Sequence, residues 1–249
     1  MRQPAPLIII PARMGSTRLP GKPLADLHGV PMIVHVWRRA VAAAAGPVAV
    51  ACAEREIAAA VTEAGGQAVP TRADHPSGSD RVHEAAERLD PERRHDIVVN
   101  LQGDLPMLDP AALRAVLAPL ADEAVDIATL AAPMHAAWER QSPSAVKIAA
   151  GFRPGVRTAR ALYFSRGLIP SGAGAHYHHI GIYAYRRAAL DRFVGLPPSP
   201  LELREKLEQL RALEAGMRID VALVDSVPMG VDTPEDLARA RALMDPRRS

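Results

Sequence analysis

The chain has 249 residues, of which 48% are hydrophobic and 23% are charged, and its net charge is +2 at pH 7. These values are typical of a globular protein and exclude a disordered chain. A charge so close to zero gives no indication of nucleic-acid binding, and no apolar stretch is long enough to span a membrane. The single cysteine, Cys52, excludes an intramolecular disulfide, and its apolar neighbours predict a core position.

The first half of the chain alternates short apolar runs with amphipathic segments. The apolar runs predict buried strands, and the amphipathic segments predict helices. In chain order we predict a strand at 7–10, a helix at 31–41, a strand at 48–51, a helix at 54–64, a strand at 67–69, a helix at 79–89 and a strand at 96–101. This alternation predicts an α/β fold with a doubly wound, mostly parallel sheet and helices on both faces.

The second half is less regular and predicts a smaller lobe of mixed strands. Strands are predicted at 142–150, 160–165 and 180–185. Leucines at helical spacing predict one amphipathic helix over 201–216 (Leu203, Leu207, Leu210 and Leu213). A strand at 217–224 and a helix at 234–244, capped by Asp232 or Thr233, complete the chain. We therefore expect a single domain over 1–249, with a core at about 1–135, an inserted lobe at about 136–200 and a return to the core at about 201–249.

A cationic loop follows the first predicted strand. Gly15 and Gly21 allow backbone N–H groups to approach anionic oxygens, and three cations lie in the same segment (Arg13, Arg18 and Lys22). The loop therefore predicts a triphosphate site, with a solvated basic loop as the alternative. It is not a Walker A loop, because five residues separate the two glycines rather than four and Pro23 stands where Ser or Thr is needed.

Two carboxylates are candidates for binding a divalent cation. Asp104 follows the strand at 96–101 through Gly103, at the edge of the sheet where ligands bind. Its alternative role is to stabilise a turn before Pro106. Asp232 lies just before the last predicted helix, and its alternative role is that of the helix cap.

Segments distributed along the whole chain carry a resemblance to one enzyme family. They are Ile10-Pro11-Ala12-Arg13, Gly15 to Leu24, Ser77-Gly78-Ser79-Asp80-Arg81, Val99 to Asp104, Ala145-Val146-Lys147, Tyr163-Phe164-Ser165-Arg166, His179 to Tyr183, Leu207 to Arg211 and Val231 to Asp236. From Ile9 to about Arg241 the chain resembles the 3-deoxy-manno-octulosonate (Kdo) cytidylyltransferases, or CMP-Kdo synthetases. The segments around Arg166, His179 and Glu208 resemble the Kdo enzymes more closely than the sialate-activating relatives.

The resemblance implies a magnesium-dependent nucleotidyltransferase that converts CTP and Kdo into CMP-Kdo and pyrophosphate, for lipopolysaccharide precursor synthesis. It implies a homodimer, with the lobe at 136–200 contributing to sugar binding and dimerisation. One metal ion is expected to bridge the phosphates and a second to lower the pKa of the attacking hydroxyl. Because the N-terminal apolar run is too short for a signal peptide, we expect a cytoplasmic protein.

The resemblance also implies roles for individual residues. The CTP-binding group is Ala12, Arg13, Gly15, Lys22, Ser77, Gly78 and Arg81. The sugar-binding group is Arg18, Gln102, Arg166, His179, Tyr183, Glu208 and Gln209. Asp104 and Asp232 are the implied magnesium ligands, and together with Lys22 they form the implied catalytic set.

Two departures from the family pattern leave alternatives open. Leu105 replaces a second acid that commonly follows Asp104, so the role of that acid does not carry over. The segment from Ser171 to His178 is an unusual Gly-rich and His-rich loop, whose histidines we interpret as incidental rather than as a metal site. The alternatives are a cytidylyltransferase for another acidic sugar, such as 8-amino-Kdo or a sialic-acid-like sugar, and a non-catalytic nucleotide-binding module on the same fold.

Overall fold

The computed structural model describes residues 5–245, which fold into two compact units. Unit 1 is formed by Met1–Leu113 and Pro228–Ser249, and unit 2 by Arg114–Val227. Unit 2 is thus wider than the lobe predicted at 136–200. The first four and last four residues of the predicted domain lie outside the described residues.

Unit 1 contains a parallel sheet with its connecting helices. The strands of this sheet are β1 (Leu7–Ala12), β4 (Val48–Cys52), β5 (Gln67–Pro70) and β6 (Ile97–Asn100), and β2 (Asp26–Leu27) and β3 (Val30–Pro31) form a separate antiparallel pair. Its helices are α1 (Met32–Ala42), α2 (Arg55–Glu63), α3 (Gly78–Leu89) and α9 (Pro234–Leu243), with a 3-10 turn at Lys22–Leu24. A further helix, α4 (Pro110–Ala115), spans the boundary between the two units along the chain.

The strand order β5-β4-β1-β6 in unit 1 is parallel throughout. Strand β1 is central because its residues Ile8, Ile9 and Ile10 are fully buried, as a strand covered on both faces requires. Each strand and helix predicted in this part of the sequence is present, and the bounds differ by a few residues at most. Pro31 lies just before α1 rather than at its first position.

Unit 2 contains a mixed sheet. Its strands are β7 (Ile127–Pro133), β8 (Lys147–Ala150), β9 (Thr158–Ser165), β10 (Tyr177–Arg186) and β11 (Ile219–Leu223), in the order β10-β7-β11-β9-β8. Only β7 and β11 are parallel among these neighbours. The helices are α5 (Ala137–Gln141), α6 (Arg187–Val194), α7 (Pro200–Glu205) and α8 (Leu210–Glu214), with a 3-10 turn at Ala118–Ala121. The predicted α/β class with mixed strands in the second half is confirmed.

The single helix predicted over 201–216 is wrong. Helix α7 ends at Glu205 because Lys206 adopts a left-handed conformation with φ +57°, and α8 begins only at Leu210. Leu203 is consequently 66% exposed, whereas Leu207 is buried. The break places residues 206–209 in a turn between two short helices, where their side chains need not follow a helical face.

The strand predicted over 142–150 is also too long, because only its second half is extended. Strand β8 begins at Lys147, and the residues before it follow helix α5 through a turn. Strand β7 and helices α5 and α6 have no counterpart in the prediction. Within residues 5–245, no helix is long and apolar enough to cross a membrane.

Cys52 has the predicted core position. It ends strand β4 with 1% of its surface exposed. Burial, and then the charge of Glu54, raise the pKa of its thiol to about 11. A thiol in this environment is almost fully protonated at neutral pH and is therefore a poor nucleophile.

A small apolar cluster ties the cationic loop to the end of the chain within unit 1. Leu19 in the loop packs in one cluster with Met32 at the start of α1 and with Val231 and Leu237 around the start of α9. The backbone N–H of Val231 also donates to the carbonyl of Asp104 at 2.9 Å. The segment before α9 is therefore fixed beside the loops that follow β1 and β6.

Gly103 is required by close packing at the end of β6. A Cβ atom on Gly103 would lie 3.0 Å from the Pro11 carbonyl oxygen and 3.4 Å from Ile33 Cδ1. We expect Gly103→Ala to destabilise the protein by about 1–3 kcal/mol, because backbone must shift to accept the methyl group. The measurement is the free energy of unfolding in urea.

The matched control is Gly151→Ala, since a Cβ atom at Gly151 meets nothing within 4 Å. That change is expected to leave the free energy of unfolding within about 0.5 kcal/mol of the wild-type value. Equal stabilities for the two variants would contradict the packing role of Gly103.

Candidate functional site

A cavity of about 340 Å³ lies in unit 1, within the size range of small-molecule sites. The loops after β1 and β6, the start of α3 and the segment before α9 form it. All residues predicted in this unit line it: Ala12, Arg13, Gly15, Arg18, Lys22, Ser77, Gly78, Arg81, Gln102, Asp104 and Asp232. The carboxyl ends of two parallel strands thus contribute to one site, as is general for such sheets.

The ammonium group of Lys22 joins two carboxylates in this cavity. Its Nζ atom donates to Asp104 Oδ2 at 2.9 Å and to Asp232 Oδ1 at 3.0 Å. These partners follow Lys22 in the sequence by 82 and 210 residues. Two carboxylate oxygens therefore converge on one point, and oxygens of this kind are the ligands that a hard divalent cation takes.

Opposing effects act on the pKa of Lys22. Burial lowers this pKa, but the neighbouring carboxylates of Asp104 and Asp232 raise it by more, so the net pKa lies above its ordinary value. Lys22 is therefore charged throughout the neutral range. A group that keeps its positive charge in a partly buried position is suited to binding an anionic phosphate chain.

The side chain of Asp232 is available because a neighbouring residue caps α9. The Thr233 hydroxyl accepts from the Asp236 N–H, and the Asp236 carboxylate accepts from the N–H groups of Asp232 and Thr233. This capping box satisfies the helix terminus. The alternative in which Asp232 is the helix cap is therefore wrong.

Arg18 pairs with the second oxygen of Asp232. Its Nη2 atom lies 3.1 Å from Asp232 Oδ2, and its side chain is 66% exposed. Exposed ion pairs contribute at most about 1 kcal/mol. Arg18 can therefore exchange this partner for an anionic ligand at little cost.

The cationic loop is shaped by local bonds rather than by regular structure. The Met14 N–H donates to Glu54 Oε1 at 2.9 Å, which holds the loop against the segment before α2. Gly21 has a φ of +69° and begins the 3-10 turn that carries Lys22. A side chain at this position would be strained in that conformation.

The start of α3 brings a polar group to the cavity that the sequence analysis missed. His75 is buried, lines the cavity and contacts the Glu84 carboxylate through Nε2. Glu84 also accepts from the Arg72 N–H. Burial raises the pKa of the Glu84 carboxyl, but the hydrogen bonds from His75 and Arg72 lower it by more, so the net pKa is below its ordinary value. The available signal was weak, because only proximity to Ser77 marks His75 in the sequence.

Ser77 and Arg81 hold the backbone at this end of the cavity. Ser77 caps α3, with its Oγ atom accepting from the Asp80 N–H. Arg81 is buried and donates through Nη1 to Thr71 Oγ1 at 2.6 Å and to the Arg72 carbonyl at 3.0 Å. Both residues line the predicted CTP site, and both have structural partners there.

The Gln102 side chain is held by a residue at the end of β6. Its Nε2 atom donates to Asn100 Oδ1 at 3.2 Å, and Asn100 donates in turn to Ser79 Oγ at 3.4 Å. Three residues after Gln102, Leu105 is buried at the position where the family commonly has a second acid. The cavity therefore receives one carboxylate from this loop, that of Asp104.

In unit 2, strand β10 carries His179 and Tyr183 close together. Their ring centroids are 5.5 Å apart, and His179 Nε2 contacts Thr129 Oγ1 at 3.0 Å. Burial, and then the charge of His178, lower the pKa of His179 to about 3, so its imidazole is neutral. Burial raises the pKa of Tyr183, and the nearby Tyr185 and Glu208 add to this effect.

Glu208 and Gln209 lie in the turn between α7 and α8. Gln209 is buried, and the charge of Glu208 reaches Tyr183. The break at Lys206 thus explains how residues predicted to lie on a helix come near a strand of the sheet. Five of the predicted sugar-binding residues belong to unit 2. His179 and Tyr183 lie on β10, Glu208 and Gln209 lie in this turn, and Arg166 follows strand β9.

The guanidinium group of Arg166 is held by backbone carbonyls. Nε donates to the Glu205 carbonyl at 2.9 Å, Nη1 to that of Pro143 at 3.1 Å and Nη2 to that of Lys206 at 3.4 Å. A guanidinium has five N–H groups, so one N–H remains on each terminal nitrogen. Spare N–H groups on a guanidinium are suited to bind a carboxylate.

The histidines near the Gly-rich loop do not share a ligand position. His176 contacts the Pro170 carbonyl, His178 contacts Glu139 Oε1 at 2.9 Å, and His179 contacts Thr129. His178 and His179 belong to strand β10 rather than to the loop. Each of the three histidines thus has a different partner, and their interpretation as incidental stays a prediction.

Comparison with known proteins gives consistent matches over nearly the whole chain. The family model described as cytidylyltransferase matches residues 7–219. A 3-deoxy-manno-octulosonate cytidylyltransferase of Paramagnetospirillum magneticum is 65% identical, over 98% of this chain and 99% of its own length. One from Rhodopseudomonas palustris strain BisB5 is 66% identical, over 97% and 98%. A solved structure of CMP:2-keto-3-deoxy-manno-octonic acid synthetase complexed with CTP has a TM-score of 0.89 at 43% identity, covering 96% of this chain and 98% of that one.

The buried neutral His179 predicts an acid-side loss of stability. Its pKa is about 3 when folded and about 6.5 when unfolded. Below pH 6.5 the unfolded state therefore binds more protons, so stability is complete above that pH and falls as the pH decreases toward 3. Between pH 7.5 and 5, protonation of His179 in the unfolded state lowers the free energy of unfolding by about 2 kcal/mol. His179→Gln should remove this loss.

The measurement is the free energy of unfolding of the wild type and of His179→Gln at both pH values. The control is His28→Gln, a change at an exposed histidine. This variant should lose as much stability between the two pH values as the wild type does. The burial effect is contradicted if His179→Gln loses as much stability at pH 5 as the wild type does.

Proposed function

The chain belongs to the 3-deoxy-manno-octulosonate cytidylyltransferases, and from this membership we propose that it transfers CMP from CTP to the anomeric 2-hydroxyl of Kdo and releases pyrophosphate. One observation supports the chemistry above all others. Lys22 lies between Asp104 and Asp232 in a cavity that also contains three arginines. A phosphate chain and a divalent cation both find partners in such a set.

Unit 1 is proposed to bind CTP. Arg13 and Lys22 face the triphosphate, and Ala12 and Gly15 offer backbone groups in the same loop. At the other end of the cavity, Ser77, Gly78 and Arg81 contact the cytosine and ribose. The size of the cavity and its excess of cationic over anionic side chains support this proposal.

Magnesium is the proposed cofactor, and Asp104 and Asp232 would hold it. The fit rests on one oxygen of each acid. Both oxygens lie within 3.0 Å of the Lys22 Nζ atom and therefore converge on one point. When bound, magnesium neutralises charge on the phosphates and acidifies the attacking hydroxyl. Since Lys22 contacts both acids, a metal ion held there would compete with its ammonium group for their oxygens.

The acidic sugar is proposed to contact Arg18, Gln102, Arg166, His179, Tyr183, Glu208 and Gln209. Arg166 keeps two N–H groups that are not used by the carbonyls, and a guanidinium can bind a carboxylate through two such groups. The neutral imidazole of His179 and the protonated phenol of Tyr183 are uncharged hydrogen-bonding groups suited to sugar hydroxyls.

The reaction forms one bond and breaks one. The 2-hydroxyl oxygen of Kdo attacks the α-phosphorus of CTP, its proton leaves to solvent, and the bond from the α-phosphorus to the pyrophosphate oxygen breaks. Catalysis in such a transfer comes from positioning the groups in line and from neutralising charge. Lys22 contributes the second effect, because its ammonium group stays protonated while charge develops on the leaving pyrophosphate.

Four further features complete the proposal. The enzyme acts in lipopolysaccharide precursor synthesis, in the cytoplasm, and its parallel strands are doubly wound with helices on both faces. It is a homodimer, as the resemblance to the family implies. Light scattering after size-exclusion chromatography measures the dimer directly.

We expect pyrophosphate release from CTP and Kdo with magnesium, and at most weak release when UTP replaces CTP. A screen with Kdo, 8-amino-Kdo and a sialic acid identifies the sugar. Release with another acidic sugar alone would correct the substrate and keep the reaction class. CTP binding without release for any sugar would instead support the non-catalytic module, against which Lys22, Asp104 and Asp232 all count.

Removal of either acid should weaken metal binding. In the presence of CTP, Asp104→Asn and Asp232→Asn are each expected to weaken Mn²⁺ binding, measured by electron paramagnetic resonance, by about tenfold or more. Turnover should fall by at least about a hundredfold. EDTA should abolish wild-type turnover, and added Mg²⁺ should restore it.

The matched control is Glu235→Gln, an exposed acid three residues from Asp232. It should bind Mn²⁺ and turn over as the wild type does. Normal Mn²⁺ binding by Asp104→Asn would remove that residue from the metal site.

A further inference from the structure

Lys147 is a buried cation that none of the roles above uses. It begins strand β8 and is fully buried. Its ammonium group donates to the Ser142 carbonyl at 2.6 Å and to the Arg166 carbonyl at 3.0 Å. Both acceptors lie outside the strands, one before β8 and one after β9. Lys147 therefore fastens two loops to each other.

Arg166 is held at each of its polar groups. Its carbonyl accepts from Lys147, its N–H donates to Glu205 Oε2 at 2.9 Å, and its guanidinium donates to three carbonyls. Glu205 also accepts from the Ser165 hydroxyl through its other oxygen, at 2.8 Å. Two of the four residues in the Tyr163 to Arg166 segment are thus bound by one carboxylate.

The three segments held in this way surround the Arg166 side chain. They are 142–143, 165–166 and 205–206, and the first and last supply the carbonyls that the guanidinium contacts. Lys147 fixes the first segment to the second, and Glu205 fixes the second to the third. The orientation of the two spare Arg166 N–H groups depends on both links.

Packing alone does not explain a lysine at this position. Burial lowers the pKa of Lys147, with the charge of Glu139 acting in the opposite direction, so the charged form is not favoured by its surroundings. Apolar side chains of similar volume are often as stable as a buried charge. What an apolar residue cannot supply is donors for the Ser142 and Arg166 carbonyls.

We propose that Lys147 and Glu205 are positioning residues that orient Arg166 toward the carboxylate of the acidic sugar. The proposal rests on the proposed function, in which Arg166 binds that carboxylate. Neither residue touches the reacting atoms. Their loss should therefore weaken sugar binding selectively, and the nucleotide site in unit 1 should be unaffected.

The test compares wild-type protein with Lys147→Met, which keeps the volume and removes the donors. Pyrophosphate release is measured with Kdo varied at saturating CTP, and with CTP varied at saturating Kdo. The KM for Kdo is expected to rise about tenfold to a hundredfold, the effect of losing a charged hydrogen bond. The KM for CTP should stay within about twofold.

The matched control is Arg186→Met. The Arg186 side chain also donates to backbone carbonyls in unit 2, those of Leu120, Asp122 and Val125, which lie outside the segments around Arg166. The Arg186→Met variant loses hydrogen bonds from a cation to carbonyls, as Lys147→Met does, and both of its KM values should stay within about twofold of the wild-type values. Glu205→Met, at a partly exposed position, is the second variant and provides the same test if Lys147→Met does not fold.

Hydrogen exchange gives a readout that does not need turnover. The Arg166 amide should exchange faster in Lys147→Met and Glu205→Met than in wild type, and not in Arg186→Met. Unchanged exchange, or parallel increases in both KM values, would overturn the positioning role alone. Faster exchange with an unchanged KM for Kdo would overturn the link to the sugar. A wild type that binds CTP but releases no pyrophosphate would overturn the proposed function, and the sugar role with it.

Discussion

The bonds from Lys22 to Asp104 and Asp232 are the interaction on which the cavity of unit 1 depends. Two carboxylates held this close repel each other unless a cation lies between them. Backbone geometry places each partner. Lys22 lies in the 3-10 turn after Gly21, Asp104 follows the close approach of Gly103 to Pro11, and Asp232 follows Val231, whose N–H donates to the Asp104 carbonyl. The cluster therefore comes from three distant parts of the chain and from backbone packing rather than from the charges themselves.

Structural partners and functional groups are kept on different residues in this unit. Thr233 and Asp236 satisfy the start of α9, which leaves Asp232 to face Lys22 and Arg18. Arg81 shows the opposite arrangement, since its buried guanidinium holds the loop at Thr71 and Arg72 while it lines the cavity. The exposed cation can change its partner, whereas the buried cation fixes the wall of the cavity.

The parallel strands and the cationic loop could be predicted from sequence because their signals are local: apolar runs, and glycines with cations directly after a strand. The break at Lys206 could not, because a left-handed lysine has no local signature and the leucine spacing continues through it. The contact between His75, which precedes α3, and Glu84, which lies within α3, depends on how the preceding segment folds back onto the helix. The roles of Arg166, His179 and Glu208 came from family resemblance, and their burial and partners required coordinates.

Around Arg166 in unit 2 the cationic side chains donate to backbone carbonyls, whereas Lys22 in unit 1 donates to carboxylates. Lys147 and Arg166 together donate to carbonyls in three segments, and neither forms an ion pair with a carboxylate within residues 5–245. A carboxylate partner would neutralise Arg166 and weaken its attraction for an acidic sugar, whereas carbonyls orient the guanidinium and leave its full charge. The Glu205 carboxylate accepts from the Arg166 backbone N–H, and Lys147 donates to the Arg166 carbonyl, so both links act on the backbone of Arg166 and leave its guanidinium group to the carbonyls.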